Sequence, residues 1–203
     1  MMILHSYLSS PYTRKVRMAL QLLGLADRVE TRKPDLNDVA DPLVRANPLG
    51  KVPALVRDDG IPVYDSPVIL EYLDHLAGGG RIVPREPEAR FKALTLEALC
   101  DGALDACLLI RAESLYRPAE HHSARYVERQ AGKIARVLAS AEAAPPPVTA
   151  MPDVGQITLA CLLGYRDFRF DGGWREKHPR LHSWHDAFAE AVPAFGATTP
   201  RDE

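Results

Sequence analysis

The hydrophobic pattern of the first 77 residues switches between short apolar runs and a longer helical period. In Pro11–Leu23 the apolar side chains recur at i, i+3, i+4 and i+7, which predicts an amphipathic helix capped by Ser10. Apolar runs flank it at Ile3–His5 and Val29–Thr31, and these predict two parallel strands joined by the helix. The chain is therefore predicted to begin with a β-α-β unit.

A second group of elements follows residues 34–50, where many prolines, asparagines and a glycine predict an irregular segment with at most a short helix. Two strand-like runs, 53–56 and 61–64, are separated by a turn that contains Asp59-Gly60, a pair typical of hairpins. A helix is then predicted over Ser66–Leu76, with serine in the capping position and proline directly after it. This region is thus predicted to be β-β-α.

The second half of the chain shows only helical patterns. Glycines and prolines are concentrated in residues 78–88, so we expect a linker there, one domain over 1–77 and a second, all-helical domain over 89–203. Asp153 and Gln156 have the spacing of a capping box and precede a helix that is apolar on nearly all sides, as in the centre of a bundle. The predicted helices are 89–116, 121–142, one that begins after Asp153, and Pro179–Ala191, with a tail from Pro193 onward.

Charge and composition restrict the partners. The chain is 46% hydrophobic and 26% charged, with a formal net charge of −2, and this balance argues against nucleic acid as a partner. No segment approaches the roughly 20 apolar residues that span a bilayer, and no signal peptide is visible, so we expect a cytoplasmic protein without a membrane partner. The basic run Arg14, Lys15 and Arg17 lies on the first predicted helix and is interpreted as a solvated face.

The three cysteines, Cys100, Cys107 and Cys161, have neither the C-x-x-C spacing of redox sites nor nearby zinc ligands. All three lie in apolar helical stretches. They are predicted to be buried thiols in a reducing compartment, and we expect no metal site.

Three short stretches are candidates for chemistry. Ser9–Tyr12 joins a strand to a helix N-terminus, whose free N–H groups favour an anion such as a thiolate. Asn47–Pro53 is a turn that leads into a strand beginning with proline. Asp65 and Ser66 precede the next helix, where backbone N–H groups and a hydroxyl can hold a carboxylate. Each stretch alone is a weak signal, and their combination is more specific.

Together these stretches, SSPYTRKVRMAL (9–20), NPLGKVPALV (47–56) and YDSPVILEYLD (64–74), resemble the cytosolic glutathione transferase superfamily. In the second half, DGALDACLLIRAE (101–113) and GQITLACLLGYRDFR (155–169) look like a bacterial subgroup of it. The resemblance implies the glutathione transferase fold: an α/β thioredoxin-like N-terminal domain and an all-α C-terminal helical bundle. It also implies that the protein uses glutathione as a co-substrate in detoxification. We further expect a homodimer, because the 66–76 and 89–116 helices each carry more apolar surface than one neighbour would cover.

The resemblance also implies roles for single residues. Ser10 matches the serine of the serine-type branch, whose hydroxyl faces the glutathione sulfur, and Ser9 is the alternative if the alignment slips by one. Pro53 matches a cis-proline, and the backbone of the preceding valine would pair with the cysteinyl part of glutathione. The implied glutathione-binding residues are Lys51, Val52, Pro53, Asp65 and Ser66.

The absence of cysteine from the first 77 residues argues against a mixed-disulfide mechanism, which needs a thiolate in the protein. The expected reaction is attack by the glutathione thiolate on a small apolar electrophile, with ether or halide cleavage as a narrower option. A catalytically inactive binding or regulatory module on the same scaffold is the alternative. The second substrate is expected to contact Leu8, Tyr12, Arg111 and Tyr116.

Acidic residues on the long 89–116 helix leave two interpretations open. Glu97, Asp101 and Asp105 either are surface or capping charges, or include one that reaches glutathione across a dimer. We expect that dimer to pack the Ser66–Leu76 helix of one subunit against the 89–116 helix of the other.

Overall fold

The computed structural model describes all 203 residues, and its first part contains a four-stranded mixed sheet. The strands are β1 (Met2–His5), β2 (Val29–Arg32), β3 (Ala54–Val56) and β4 (Pro62–Val63), in the order β2-β1-β3-β4. β1 and β2 run parallel, as the β-α-β pattern predicted, with Met2 opposite Val29. β3 is antiparallel to β1 and to β4, so the predicted hairpin is confirmed.

Three helices accompany this sheet: α1 (Pro11–Leu22), α2 (Pro42–Ala46) and α3 (Ser66–Leu76). The helix α1 begins as predicted, because Ser10 caps it and proline occupies its first turn, where a missing N–H costs nothing. It ends before Gly24, which has a φ of 69° that other residues rarely adopt.

The second part is entirely helical. Its helices are α4 (Pro87–Tyr116), α5 (Ala124–Ala143), α6 (Val154–Arg169), α7 (Trp174–Lys177), α8 (Pro179–Ala191) and α9 (Pro193–Ala197). The capping box of Asp153 and Gln156 is present, and α6 is buried from Val154 to Tyr165, so its central position is confirmed. None of the helices combines the length and hydrophobicity that crossing a membrane requires.

Several boundaries differ from the prediction for local reasons. The helix α4 begins two residues early, since Glu86 accepts hydrogen bonds from the N–H groups of Glu88 and Ala89. The prediction of a tail from Pro193 is wrong. Proline there begins α9, and the helix buries Phe195 in the core.

The helix α1 joins the two parts of the molecule. It contacts α3 on one side and α6 and α9 on the other, and its apolar residues belong to one hydrophobic cluster that includes side chains of both parts. The helices α4 and α6 form the most extensive helix pair of the second part. The helix α1 is therefore packed against elements of both parts of the molecule.

The interpretation of the basic run on α1 as a solvated face is wrong. The Lys15 side chain has no exposed surface, and its Nζ lies 3.0 Å from a carboxylate oxygen of Glu97 and 2.8 Å from one of Asp101. Arg14 is also buried, and its Nη2 donates to the backbone oxygen of Phe195 at 2.9 Å. These cations are buried because the helical part supplies their partners, two carboxylates and a backbone oxygen. The hydrophobic pattern of α1 alone contains no information about those partners.

Candidate active site

Ser10 lies at the N-terminus of α1, directly after the loop that leaves β1. Its backbone is extended, and its Oγ accepts a hydrogen bond from the N–H of Thr13 at 3.3 Å. The N–H of Ser10 itself donates to the backbone oxygen of Tyr7 at 3.1 Å. The hydroxyl hydrogen of Ser10 is not used by these contacts and is available to an acceptor outside the chain.

The loop before β3 presents one residue, Val52, whose backbone is unpaired. The Val52–Pro53 peptide bond is cis, which confirms the expectation for this position. Neither the N–H nor the C=O of Val52 has a hydrogen-bond partner within the chain. Lys51 is exposed beside it.

Asn47 holds this loop in shape, a role that the sequence analysis did not assign. Its side chain is buried, its Nδ2 donates to the backbone oxygen of Lys51 at 2.8 Å, and its Oδ1 accepts from the N–H of Leu49 at 3.1 Å. An asparagine before proline is a common turn residue, so the sequence contained the signal.

The N-terminus of α3 is the third part of the candidate site. Asp65 precedes the helix and is exposed, whereas Ser66 is almost fully buried. Neither side chain forms a hydrogen bond with the rest of the chain, although both are polar and lie at a helix N-terminus, where N–H groups are free. This end can therefore accept a ligand carboxylate.

The residues expected to contact a second substrate are only partly brought together. The Tyr12 hydroxyl donates a hydrogen bond to the carboxylate of Asp105 on α4. Burial is the larger cause and this hydrogen bond the second cause of the raised pKa of the Tyr12 phenol. The N–H of Leu8 donates to a carboxylate oxygen of Glu203 at 2.7 Å. The chain terminus thus lies against the loop before α1, which the sequence analysis did not foresee.

Arg111 and Tyr116 occupy different faces of α4. Because each helical residue turns by about 100°, positions five apart point in different directions. Arg111 is half-buried, whereas the Tyr116 side chain is 83% exposed and lines a groove of about 430 Å³ with Leu109 and Tyr126.

The acidic residues of α4 are bound within their own chain. Glu97 and Asp101 both accept from Lys15, so their interpretation as surface or capping charges is wrong, and Asp105 accepts from Tyr12. Burial raises the pKa of both carboxyls, while Lys15 acts in the opposite direction on each. Their charges also hold the pKa of Lys15 above its usual value despite its burial.

Family models match both parts of this architecture. The model described as glutathione S-transferase, N-terminal domain, matches residues 9–76. The model described as glutathione S-transferase, C-terminal domain, matches residues 124–187. The first match contains all three stretches of the candidate site.

Individual proteins agree with these models. An uncharacterized GST-like protein of Escherichia coli K12, YibF, is 34% identical over 185 residues, which are 89% of this chain and 90% of that protein. A glutathione transferase family member from Pseudomonas fluorescens Pf-5, crystallised with bound glutathione, has a TM-score of 0.90 and 40% identity, covering 99% of this chain and 100% of its own. A second structure from that organism, with bound S-(propanoic acid)-glutathione, has a TM-score of 0.86 and 39% identity over the same shares. Because family models match both of its parts and these relatives are 34% and 40% identical over most of its length, the chain belongs to the glutathione S-transferase family.

Proposed function

We propose that the protein is an enzyme of the serine-type bacterial subgroup that activates glutathione as a thiolate and conjugates it to a small electrophile with an apolar body. The observation that carries the proposal is Ser10 at the start of α1, with its Oγ oriented by the Thr13 N–H and its hydroxyl hydrogen free. The lack of cysteine in residues 1–77 supports a serine-type site over a thiol-exchange site.

Glutathione would lie between α1, the loop before β3 and the start of α3. The unpaired backbone of Val52, fixed beside Pro53, fits the cysteinyl part of the tripeptide, because a free N–H and C=O can pair with an extended ligand. Lys51, which is exposed next to Val52, would reach the glycyl carboxylate. Asp65 and Ser66 would hold the γ-glutamyl end, which carries both an amino group and a carboxylate. Bound glutathione in the Pseudomonas structure supports this assignment.

The physical task of Ser10 is to stabilise an anion. A free thiol with a pKa of about 8.5 is only a few per cent ionised at pH 7, and lowering that pKa by about two units needs roughly 2.7 kcal/mol. A hydrogen bond to a charged group contributes about 1.5–3 kcal/mol, and a helix N-terminus adds about 0.3–1 kcal/mol. Ser10 and α1 together therefore supply enough energy to make the bound sulfur a thiolate.

The electrophile would approach from the side of Leu8, Tyr12 and Arg111, with Tyr116 more distant at the end of α4. In the Pseudomonas relative the conjugate is S-(propanoic acid)-glutathione, which supports a small carbon electrophile for this family member as well. The three cysteines are free and buried, which supports the proposed location in the reducing cytoplasm. The proposed domains are residues 1–77 and 89–203, joined by 78–88.

The test replaces Ser10 by alanine, with Ser9→Ala as the matched control. We expect Ser10→Ala to lower the conjugation rate at neutral pH by about 10- to 1,000-fold, because one donor to the developing anion is lost. The fold should persist, since a lost helix cap costs about 1 kcal/mol. Part of the rate should return as the pH rises, because the sulfur then ionises without help.

The pH dependence of the rate and of thiolate absorbance would be measured for wild type and both variants. Identical profiles for wild type and Ser10→Ala would contradict the role of Ser10, and a loss confined to Ser9→Ala would move it to Ser9. If all three proteins bind glutathione and none conjugates any of a panel of electrophiles, the alternative of a non-catalytic binding or regulatory module replaces the enzyme.

We also propose that the protein forms a homodimer. Val68 on α3 and Phe91 and Leu99 on α4 are apolar and exposed in the single chain, as expected of surfaces that a second copy covers. We expect a particle of twice the 22.4 kDa chain mass at micromolar concentration by analytical ultracentrifugation. Phe91→Asp should shift it towards the monomer, and a wild-type mass of 22.4 kDa would contradict the proposal.

A further inference from the structure

A group of arginines lies where α4 and α6 face the N-terminus of α1. Arg111 is on α4, and Arg166 and Arg169 are in the last turn of α6; we refer to these three residues as the arginine cluster. All three are half-buried. Their placement concentrates positive charge in a chain whose net charge is −2.

The arginine cluster adjoins the proposed second-substrate site through a continuous series of contacts. Tyr12 reaches Asp105 on α4, and Cys107 and Arg111 follow on the same helix one turn apart. On the other side of Ser10, the N–H of Leu8 donates to the carboxylate of Glu203. Asp202, which precedes Glu203 in the chain, forms an ion pair with Arg169. The cluster is therefore bounded by the residues on both sides of Ser10.

Electrostatic effects within this region agree with that proximity. Burial raises the pKa of the Tyr165 phenol, and the charges of Arg111 and Arg169 oppose the rise. Burial raises the pKa of the Cys107 thiol to about 11, and Arg166 opposes it. The arginines thus act on the same small group of side chains between α4 and α6.

The chain gives the arginine cluster one ion-pair partner, Asp202, whose charge also acts on Arg111. Neither Arg111 nor Arg166 forms an ion pair or a hydrogen bond with any carboxylate of the chain. Arg169 forms a two-pronged ion pair with Asp202, whose carboxylate is 72% exposed although the arginine side chain is only 13% exposed. Because the Asp202 side is open to solvent, an incoming anion can approach Arg169 from that side.

Aromatic rings hold two of the guanidinium groups in place. Arg166 lies 4.3 Å from the ring centre of Phe170, and Arg169 lies 3.8 Å from that of Phe168. Stacking on a ring leaves the edge of a guanidinium free for the two parallel hydrogen bonds that a carboxylate accepts. Stabilisation of the α6 C-terminus explains positive charge on α6, but it does not explain Arg111 in the interior of α4.

We propose that Arg111, Arg166 and Arg169 bind an anionic group, a carboxylate in particular, on the electrophile that receives the glutathione sulfur. This inference rests on the proposed function and narrows its substrate class. The electrophile then has an apolar body beside Leu8 and Tyr12 and a carboxylate at the arginine cluster.

The first test is a binding measurement that needs no turnover. The ligands are S-(4-carboxy-2-nitrophenyl)glutathione and its neutral carboxamide, which differ only at the group assigned to the arginine cluster. Titration calorimetry should show that the wild type binds the carboxylate conjugate at least about tenfold more tightly, because the neutral amide cannot accept charge-assisted hydrogen bonds from the guanidinium groups as a carboxylate does. Arg166→Gln should remove most of this preference, and Arg166→Lys should retain part of it.

Arg129→Gln is the matched control, because Arg129 is exposed on α5 and has no partner in the chain. It should keep the wild-type preference. Equal affinity of the wild type for the two conjugates, or an unchanged preference in Arg166→Gln, would overturn the inference. Melting temperatures measured on the same samples separate a loss of preference from a loss of fold.

The second test compares turnover of 4-chloro-3-nitrobenzoate and 4-chloro-3-nitrobenzamide with glutathione. In each reaction the thiolate forms the carbon–sulfur bond, chloride leaves, and the thiol proton passes to solvent. We expect a higher kcat/KM for the acid, relative to the uncatalysed rates, and a ratio that falls in Arg166→Gln. A binding preference without any turnover would retain the anion site and reject the proposed function, whereas turnover without the preference would do the reverse.

Discussion

Two charged groups each include residues of α4, and they differ in how far the chain itself neutralises their charges. The first group, which we call the lysine cluster, is Lys15, Glu97 and Asp101. The Lys15 Nζ is fully buried and lies 3.0 Å or less from an oxygen of each carboxylate, and these side chains are 4% and 18% exposed. The arginine cluster has one exposed carboxylate as its only ion-pair partner. A charge that the chain itself neutralises holds the two parts together, whereas a charge left without a partner is available to a ligand.

The largest expected effect concerns Lys15. Lys15→Met would leave Glu97 and Asp101 buried without a cation, and breaking a buried ion pair in this way costs about 3–5 kcal/mol. We expect a loss of that size in the free energy of unfolding measured with urea. Lys177→Met, at an exposed position on α7, is the control and should change little. A cost below about 1 kcal/mol for Lys15→Met would show that the lysine cluster is not structural.

A smaller effect is expected from Asp101→Asn, because Lys15 keeps Glu97 as a partner. Loss of one buried partner should cost about 1–3 kcal/mol, and the double variant Lys15→Met/Asp101→Asn should cost less than the sum of the single variants. Urea unfolding of all three proteins tests this coupling. Strict additivity would mean that the two residues act independently.

The smallest expected effect on stability is at the arginine cluster. Arg166→Gln removes a contact with the Phe170 ring and a positive charge at the α6 C-terminus, each worth about 0.3–1 kcal/mol. We therefore expect Arg166→Gln to lower the free energy of unfolding by about 1 kcal/mol. Arg129→Gln, measured in the same assay, is the control. A loss as large as that of Lys15→Met would make the arginine cluster structural and would remove the contrast between the two groups.

Local signals in the sequence predicted most of the secondary structure. Ser10, followed by proline, predicted the start of α1, and Asp153 with Gln156 predicted the capping box of α6. The Asp59-Gly60 pair predicted the hairpin between β3 and β4. These features depend on residues within a few positions of one another. The same locality misled at Pro193, since proline can either follow a helix or begin one.

The parts of the candidate site were predicted unequally. The stretches around Ser10, Pro53 and Asp65 were identified because each lies next to the start of an element. Asn47 was overlooked as the residue that shapes its loop, although its turn chemistry was visible. The tail contact between Leu8 and Glu203 was not predictable, because it joins positions 195 residues apart.

The sequence by itself determined where helices and strands begin, which residues cap them, and that a serine occupies the first helix N-terminus. Only the tertiary structure decided that Lys15 is buried against two carboxylates and that Arg111 and Arg169 both act on Tyr165. Periodicity identifies the apolar face of one element, but whether a charged side chain is buried depends on the charges that another element places against it. Those partners lie about 80 to 90 residues from Lys15 along the chain, so packing alone brings them together.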